Sequence, residues 1–130
     1  MGLHVSHGCW NASYSQFMWF RVNIAKYIGI ELLSMEGYTD NGVQGIPWDS
    51  LPPNALHTLL HHSDCDGSIR YADARKLADA LESLLVTNTL EVFAPADHTR
   101  ESVGYWRNEI ENWIRGCRQA ARERKVVRFG

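Results

Sequence analysis

The 130-residue chain has no long apolar run, little excess of charge and few cysteines, and each shortage excludes something. Uninterrupted apolar stretches such as Leu84-Leu85-Val86 fall far short of the roughly 20 residues that cross a bilayer, so no membrane span and no membrane partner are expected. The N-terminus lacks the basic start, apolar block and small-residue cleavage site of an export signal, which leads to the expectation of an intracellular, cytoplasmic protein. The cysteines, Cys9, Cys65 and Cys117, are odd in number and widely spaced, a pattern that suits free thiols rather than a disulfide framework. With 13 Lys+Arg against 15 Asp+Glu the formal net charge is −2, which disfavours nucleic acid as a partner. No glycine-rich phosphate loop, dinucleotide fingerprint or internal repeat is present.

What is there fits one domain over residues 1–130. At 45% hydrophobic and 22% charged residues, a chain of this length buries about two thirds of its unfolded surface in a single core and needs neither disulfides nor a metal to fold. The charge is distributed unevenly. Residues 1–99 carry 5 basic and 11 acidic groups, whereas residues 100–130 carry 8 and 4.

Hydrophobic periodicity predicts a mainly α fold with four helices and a small sheet. Leu3-His4-Val5-Ser6 alternates as a short strand ended by Gly8. Ser13 with Gln16 forms a capping box before Phe17, Phe20, Ile24 and Ile28, which share one helical face up to Gly29. The stretch 36–47, with three glycines and a proline, is a loop. Pro52 and Pro53 are expected to open a second helix running to about His62, with Leu56, Leu59 and Leu60 inward. Ala74, Leu77, Ala78, Leu81, Leu84 and Leu85 give a third helix over about 71–86, the clearest pattern in the chain. Val103, Trp106, Ile110, Trp113, Cys117 and Ala120 give a long fourth helix from about 97 to 124, capped by Asp97 or Thr99. Val126–Phe129 then forms a strand expected to pair with the N-terminal one, since neither is stable alone. Cys9, Cys117 and most of the aromatic residues, including Trp19, are expected in the core.

Between the second and third helices, His62-Ser63-Asp64-Cys65-Asp66-Gly67-Ser68-Ile69-Arg70-Tyr71-Ala72-Asp73 resembles an EF-hand calcium loop. Setting Gly67 at the sixth position, where that motif turns sharply, puts His62 first, Asp64 third, Asp66 fifth and the Ser68 carbonyl seventh. Ile69 falls eighth and Asp73 twelfth. The candidate ligands are therefore Asp64, Asp66, Ser68, Asp73 and His62. The motif is degenerate: imidazole is a poor ligand for a hard cation, Arg70 at the ninth position opposes one, and Asp73 is a methylene shorter than the usual glutamate. Any calcium affinity implied is weak, on the order of 10⁻⁴ to 10⁻³ M. The bland reading keeps the EF-hand shape without metal, Gly67 turning and Ile69 packing inward. Zinc is the softer alternative, drawing on His61, His62 and Cys65, with His7 and Cys9 too distant in sequence to complete a paired site. Adjacent histidines at a helix end otherwise serve as surface groups that complement its dipole.

The chain as a whole also resembles a family of small uncharacterised proteins of bacteria and their phages. The resemblance rests on Gly8-Cys9-Trp10 with Tyr14-Ser15-Gln16-Phe17 and Phe20-Arg21, on His62-Ser63-Asp64-Cys65-Asp66-Gly67, and on the closing helix with its apolar strand. It implies a single domain and gives weight to the central loop, without implying a mechanism.

Three further groups carry chemistry. Cys9 beside His7 has the residue types of a thiolate–imidazolium nucleophile but lacks an orienting third group, so a small buried hydrophobe is the simpler reading. Arg115, Arg118, Arg122, Arg124, Lys125 and Arg128 could meet phosphates, with Arg115, Arg118 and Arg122 near one side of the helix, but pairing with the acidic first part of the chain is the favoured expectation. Trp48, in the proline-bounded loop, is the aromatic residue expected to line a pocket. The expectation is a non-enzymatic binding or interaction protein whose partner is another protein. The alternative is a small-molecule or nucleotide-binding protein, a phage counter-defence factor or a hydrolase among them, using His, Cys and Asp groups near the loop. A concave pocket beside the loop would favour the second.

Overall fold

The computed structural model describes residues 2–39, 42–63, 65–87 and 100–130, with the side chains of 87 and 100–104 excepted. The fold is mainly α with small antiparallel sheets. Strand β1 (Gly2–Val5) turns through Ser6–Gly8 into β2 (Trp10–Ser13), pairing Gly2 with Ser13 and Val5 with Trp10. Helix α1 (Tyr14–Tyr27) follows at once, and the Ser13 hydroxyl accepts from the Gln16 amide at 3.2 Å, the cap expected from the sequence. Gly29, at φ +73°, ends it.

The second helix is shorter than its proline pair implied. Helix α2 spans only His57–Leu60. Leu51 and Pro52 each precede a proline and are pushed out of the helical region. Asn54 then makes its own turn, its Oδ1 accepting from the Leu56 amide at 2.9 Å and its carbonyl from the His57 amide at 3.0 Å. Leu56, Leu59 and Leu60 are nonetheless buried, because the turn preserves the face that the pattern needs.

Helices α3 (Tyr71–Thr87) and α4 (Arg100–Glu123) form the largest helix pair. Ala74, Leu77, Ala78, Leu81 and Leu84 on one side, and Trp106, Ile110, Trp113, Cys117 and Ala120 on the other, are all buried. Gly116 lets α4 approach the β1–β2 turn: a Cβ there would lie 2.5 Å from Cys9 Sγ and 2.7 Å from the His7 carbonyl oxygen. The proposed caps Asp97 and Thr99 lie outside the described residues.

The N- and C-terminal strands meet as expected, through an antiparallel bridge between Val5 and Phe129 and a bond from the Gly130 amide to the His4 carbonyl at 2.9 Å. Each has a second partner as well. Strand β4 (Val127–Arg128) pairs with β3 (Ser68–Ile69), which lies inside the central loop. Phe129 thereby reaches a cluster of Trp10, Phe17, Phe20, Trp106 and Trp113 whose neighbouring centroids lie 5.2–6.5 Å apart. Trp19 departs from the core assignment: it is 46% exposed.

Candidate functional site: the central loop and its groove

The loop is built from its two ends. On the exit side, Gly67 has φ +86°, a conformation that glycine adopts without steric cost, and its carbonyl accepts from the Phe129 amide at 2.9 Å. Ile69 follows, buried as the register required. On the entry side, the His62 ring lies flat on Phe129, centroids 4.0 Å apart and planes 23° apart. Its Nδ1 is 2.7 Å from the Ser63 carbonyl oxygen and its Nε2 is 3.2 Å from the Ser68 carbonyl oxygen. Gly67 packs against the same ring, since a Cβ there would sit 3.3 Å from Cε1. The first-position residue of the EF-hand register therefore closes the loop upon its own seventh-position carbonyl.

That geometry bears on the cation. Asp66 is exposed, Asp73 is half-buried in the first turn of α3, and Asp64 lies outside the described residues. A hard cation needs several oxygens with free lone pairs directed at one point. Among the described donors, the Ser68 carbonyl already faces an imidazole and His62 is turned onto an aromatic ring. Among the described residues, the loop is closed by the His62 ring. The zinc alternative finds its histidines held by different rings, His61 stacked on Trp48 at 5.0 Å and His62 on Phe129. Among the described residues, no three His, Cys, Asp or Glu side chains converge to hold a metal.

Cys9 and His7 make their contacts with different partners. His7, at φ 62°, places Nδ1 2.9 Å from Ser6 Oγ and Nε2 3.6 Å from a Glu123 carboxylate oxygen. The Cys9 thiol is buried, and its hydrogen bond with Cys117 together with that burial raises its pKa far above the range of a reactive thiol. Cys65 is the exposed cysteine, its amide held by Ser63 Oγ at 3.3 Å. Trp48, expected at a pocket, is packed into the core instead. It is 6% exposed, its indole N–H donates to the Glu36 carbonyl at 3.0 Å, and its ring packs against His57 and His61. Burial, and secondarily the charge of His61, lower the pKa of His57 from its ordinary 6.5.

A groove of about 450 Å³ does lie beside the loop, and different residues build it. Arg21 from α1 is only 2% exposed; its Nη1 donates to the His62 carbonyl at 2.7 Å, and its guanidinium lies over the rings of Phe17 and Tyr38 at 4.5 and 5.3 Å. The Tyr38 hydroxyl donates to the Leu60 carbonyl. Arg21 and Tyr38 thus fix the end of α2 and the start of the loop, while His61, His62 and Ser63 face the open space. Leu33 joins this groove to a second one of about 530 Å³ that runs past Trp19, Val22 and Lys26. Trp19 and Leu33, 46% and 57% exposed, both line the second groove.

Sequence reasoning gave Arg21 and Tyr38 no role of their own, although for Arg21 one signal was available. Arg21 follows Phe17 by four residues and precedes Ile24 by three, so it stands as a lone cation in an apolar stripe. Of the basic residues of α4, Arg118 alone makes the expected match with the earlier chain among the described ion pairs to α3, meeting Glu82 at 2.6 Å and Asp79 at 3.2 Å. No described helix is long and apolar enough to cross a membrane. No protein-family model, curated protein or solved structure matches the chain.

Proposed function

We propose that the protein is a non-enzymatic interaction module that receives an apolar segment of a partner protein along the Trp19–Leu33 groove and reads its polar end at the loop. The carrying observation is that Leu33 lines both grooves, with the large apolar side chains of Trp19 and Leu33 left exposed there. Isolated apolar residues on a surface need no explanation, but grooves that share an exposed apolar residue and end at polar groups resemble the core and rim of a protein interface. Trp19 is the natural anchor, since tryptophan is enriched among the residues that dominate binding energy. His61 and Ser63 supply hydrogen-bonding groups at the other end, on a backbone that Arg21, Tyr38 and the His62 ring hold in place.

The buried Cys9 thiol, hydrogen-bonded to Cys117, favours packing over hydrolysis as the use of that residue. A cation at the loop is a separate proposal, and His62 would have to turn from Phe129 and the Ser63 and Ser68 carbonyls to serve as the first ligand of the EF-hand register. The test places the photocrosslinker benzoylphenylalanine at position 33 in expressing cells, with the same group at exposed Arg107 as a control. A discrete crosslinked partner at position 33 that disappears with Trp19→Ser supports the reading. Crosslinking no stronger at 33 than at 107 overturns it. A product at twice the chain's mass makes the partner a second copy, and repeating the experiment with calcium or chelator shows whether a cation takes part.

A further inference from the structure

We propose that the groove between the start of α3 and the end of α4 binds a free nucleoside phosphate, with the phosphates among Arg75, Lys76, Arg122 and Arg124 and the base against Tyr71. The site shares no residue with the grooves beside the loop. Two adjoining cavities, of about 720 and 380 Å³, have Arg75, Asp79, Ala121 and Arg122 in common. The larger falls within the range of about 300–1,000 Å³ typical of small-molecule sites.

The charge around it is one-sided. Arg75, Lys76, Arg122 and Arg124 are all exposed, and none forms an ion pair among the described residues. The lining carboxylate, Asp79, is matched with Glu82 by Arg118. The Arg118 hydrogen bond holds the Glu82 carboxyl below the usual carboxylate range, so this pairing persists at neutral pH. Arg118 offsets one of these two carboxylates, so the four cations facing the space outnumber the one negative charge that remains. Arginine forks match phosphate oxygens in pairs, and a group of them with one lysine suits two linked phosphates better than a single carboxylate.

Tyr71, 45% exposed, lines the same space with an aromatic face. Base stacking on such a face is sequence-tolerant and adds to phosphate binding. Arg124 occupies a position that glycine fills most easily. At φ 54° it ends α4, its amide bonded to the Ala121 carbonyl at 3.3 Å while the Lys125 amide bonds to the Ala120 carbonyl at 3.0 Å. A cation thus stands over the groove where backbone strain would favour glycine. A nucleic-acid strand fits less well, since the net charge of the chain is −2.

Isothermal titration with adenosine diphosphate, with pyrophosphate and with a labelled oligothymidylate tests this. The expected result is saturable binding of both small ligands that weakens as salt is raised. Arg75→Ala/Arg122→Ala should weaken both by about tenfold or more. Tyr71→Ala should weaken the nucleotide and leave pyrophosphate unchanged. Arg124→Gly should bind more weakly while melting no lower than wild type, which keeps the test decisive if the double variant folds poorly. No saturable binding of either small ligand at about 1 mM, or affinities indifferent to Arg124→Gly and the double variant, overturns the proposal. Equal losses for nucleotide and pyrophosphate on Tyr71→Ala overturn the stacking assignment. Tighter binding of the oligothymidylate than of the free nucleotide replaces the small ligand with a strand.

Discussion

Replacing His62 by alanine separates a loop closed by an imidazole from a loop that awaits a cation. The ring stacks on Phe129 at 4.0 Å, an aromatic contact worth about 1 kcal/mol beyond its area. A neutral ring has one N–H, so it donates to one of the two carbonyls it faces, those of Ser63 and Ser68, for about 1 kcal/mol more. The space left beside Gly67 and Phe129 adds a partial cavity cost, tempered because the site is half-buried. The expected loss is about 2–3 kcal/mol, or about 8–12 °C in melting temperature for a domain of this size. Circular dichroism melts in chelator and in about 5 mM calcium measure it, that concentration lying above the weak end of EF-hand affinities. On the closed-loop reading wild type melts at the same temperature in both buffers and His62→Ala melts lower in both. A calcium-dependent rise in wild type, or a variant within about 2 °C of it, refutes the reasoning.

Other consequences are quicker to check. Iodoacetamide applied to the folded protein should modify Cys65 alone, because Cys9 and Cys117 are buried and the Cys9 thiol is held strongly protonated; mass spectrometry of the folded and urea-unfolded chain reads the sites. Gly116→Ala gains about 1 kcal/mol of helix propensity but drives a methyl group into Cys9 Sγ and the His7 carbonyl, for a net loss of about 1–2 kcal/mol in urea unfolding. Stability should also fall on acidification. The pKa of His57 is lower in the folded chain than in the unfolded one, so between the two values the unfolded chain holds more protons and stability rises with pH. Its contribution is complete above 6.5, the unfolded value, and is lost as pH falls through the lower folded pKa. His57→Gln should flatten melting temperature against pH over that window, and an unchanged slope would remove His57 as the cause.

The elements with strong periodicity were legible in the sequence, and those defined by contacts across the chain were not. The stripe from Ala74 to Leu85 placed α3, and Ser13 with Gln16 placed the start of α1, because propensity, cap and pattern agreed there. The second helix misled because a proline is favoured in a first turn, while the residue before a proline is kept out of the helix; two prolines in succession made the second effect dominate. In the loop, Gly67 and Ile69 behave as the EF-hand register requires, since a turn and a buried aliphatic residue are local demands. The role of His62 was hidden, for it depends on Phe129, a residue far along the chain. The packing of Trp48 was hidden for a related reason: His57, His61 and the Glu36 carbonyl surround it, and only the folded chain brings them together.

The meeting of the two ends has a kinetic meaning. The Arg128 amide bonds to Ser6 Oγ at 2.8 Å across 122 positions of chain, alongside the Val5–Phe129 bridge. A contact that spans so much sequence repays its closure entropy only after the intervening helices have shortened the distance, so it belongs to the late side of the folding barrier. Weakening it should leave the refolding rate nearly untouched and accelerate unfolding. The seam between the ends would then act as the latch that sets the lifetime of the native state, rather than as the nucleus from which that state grows.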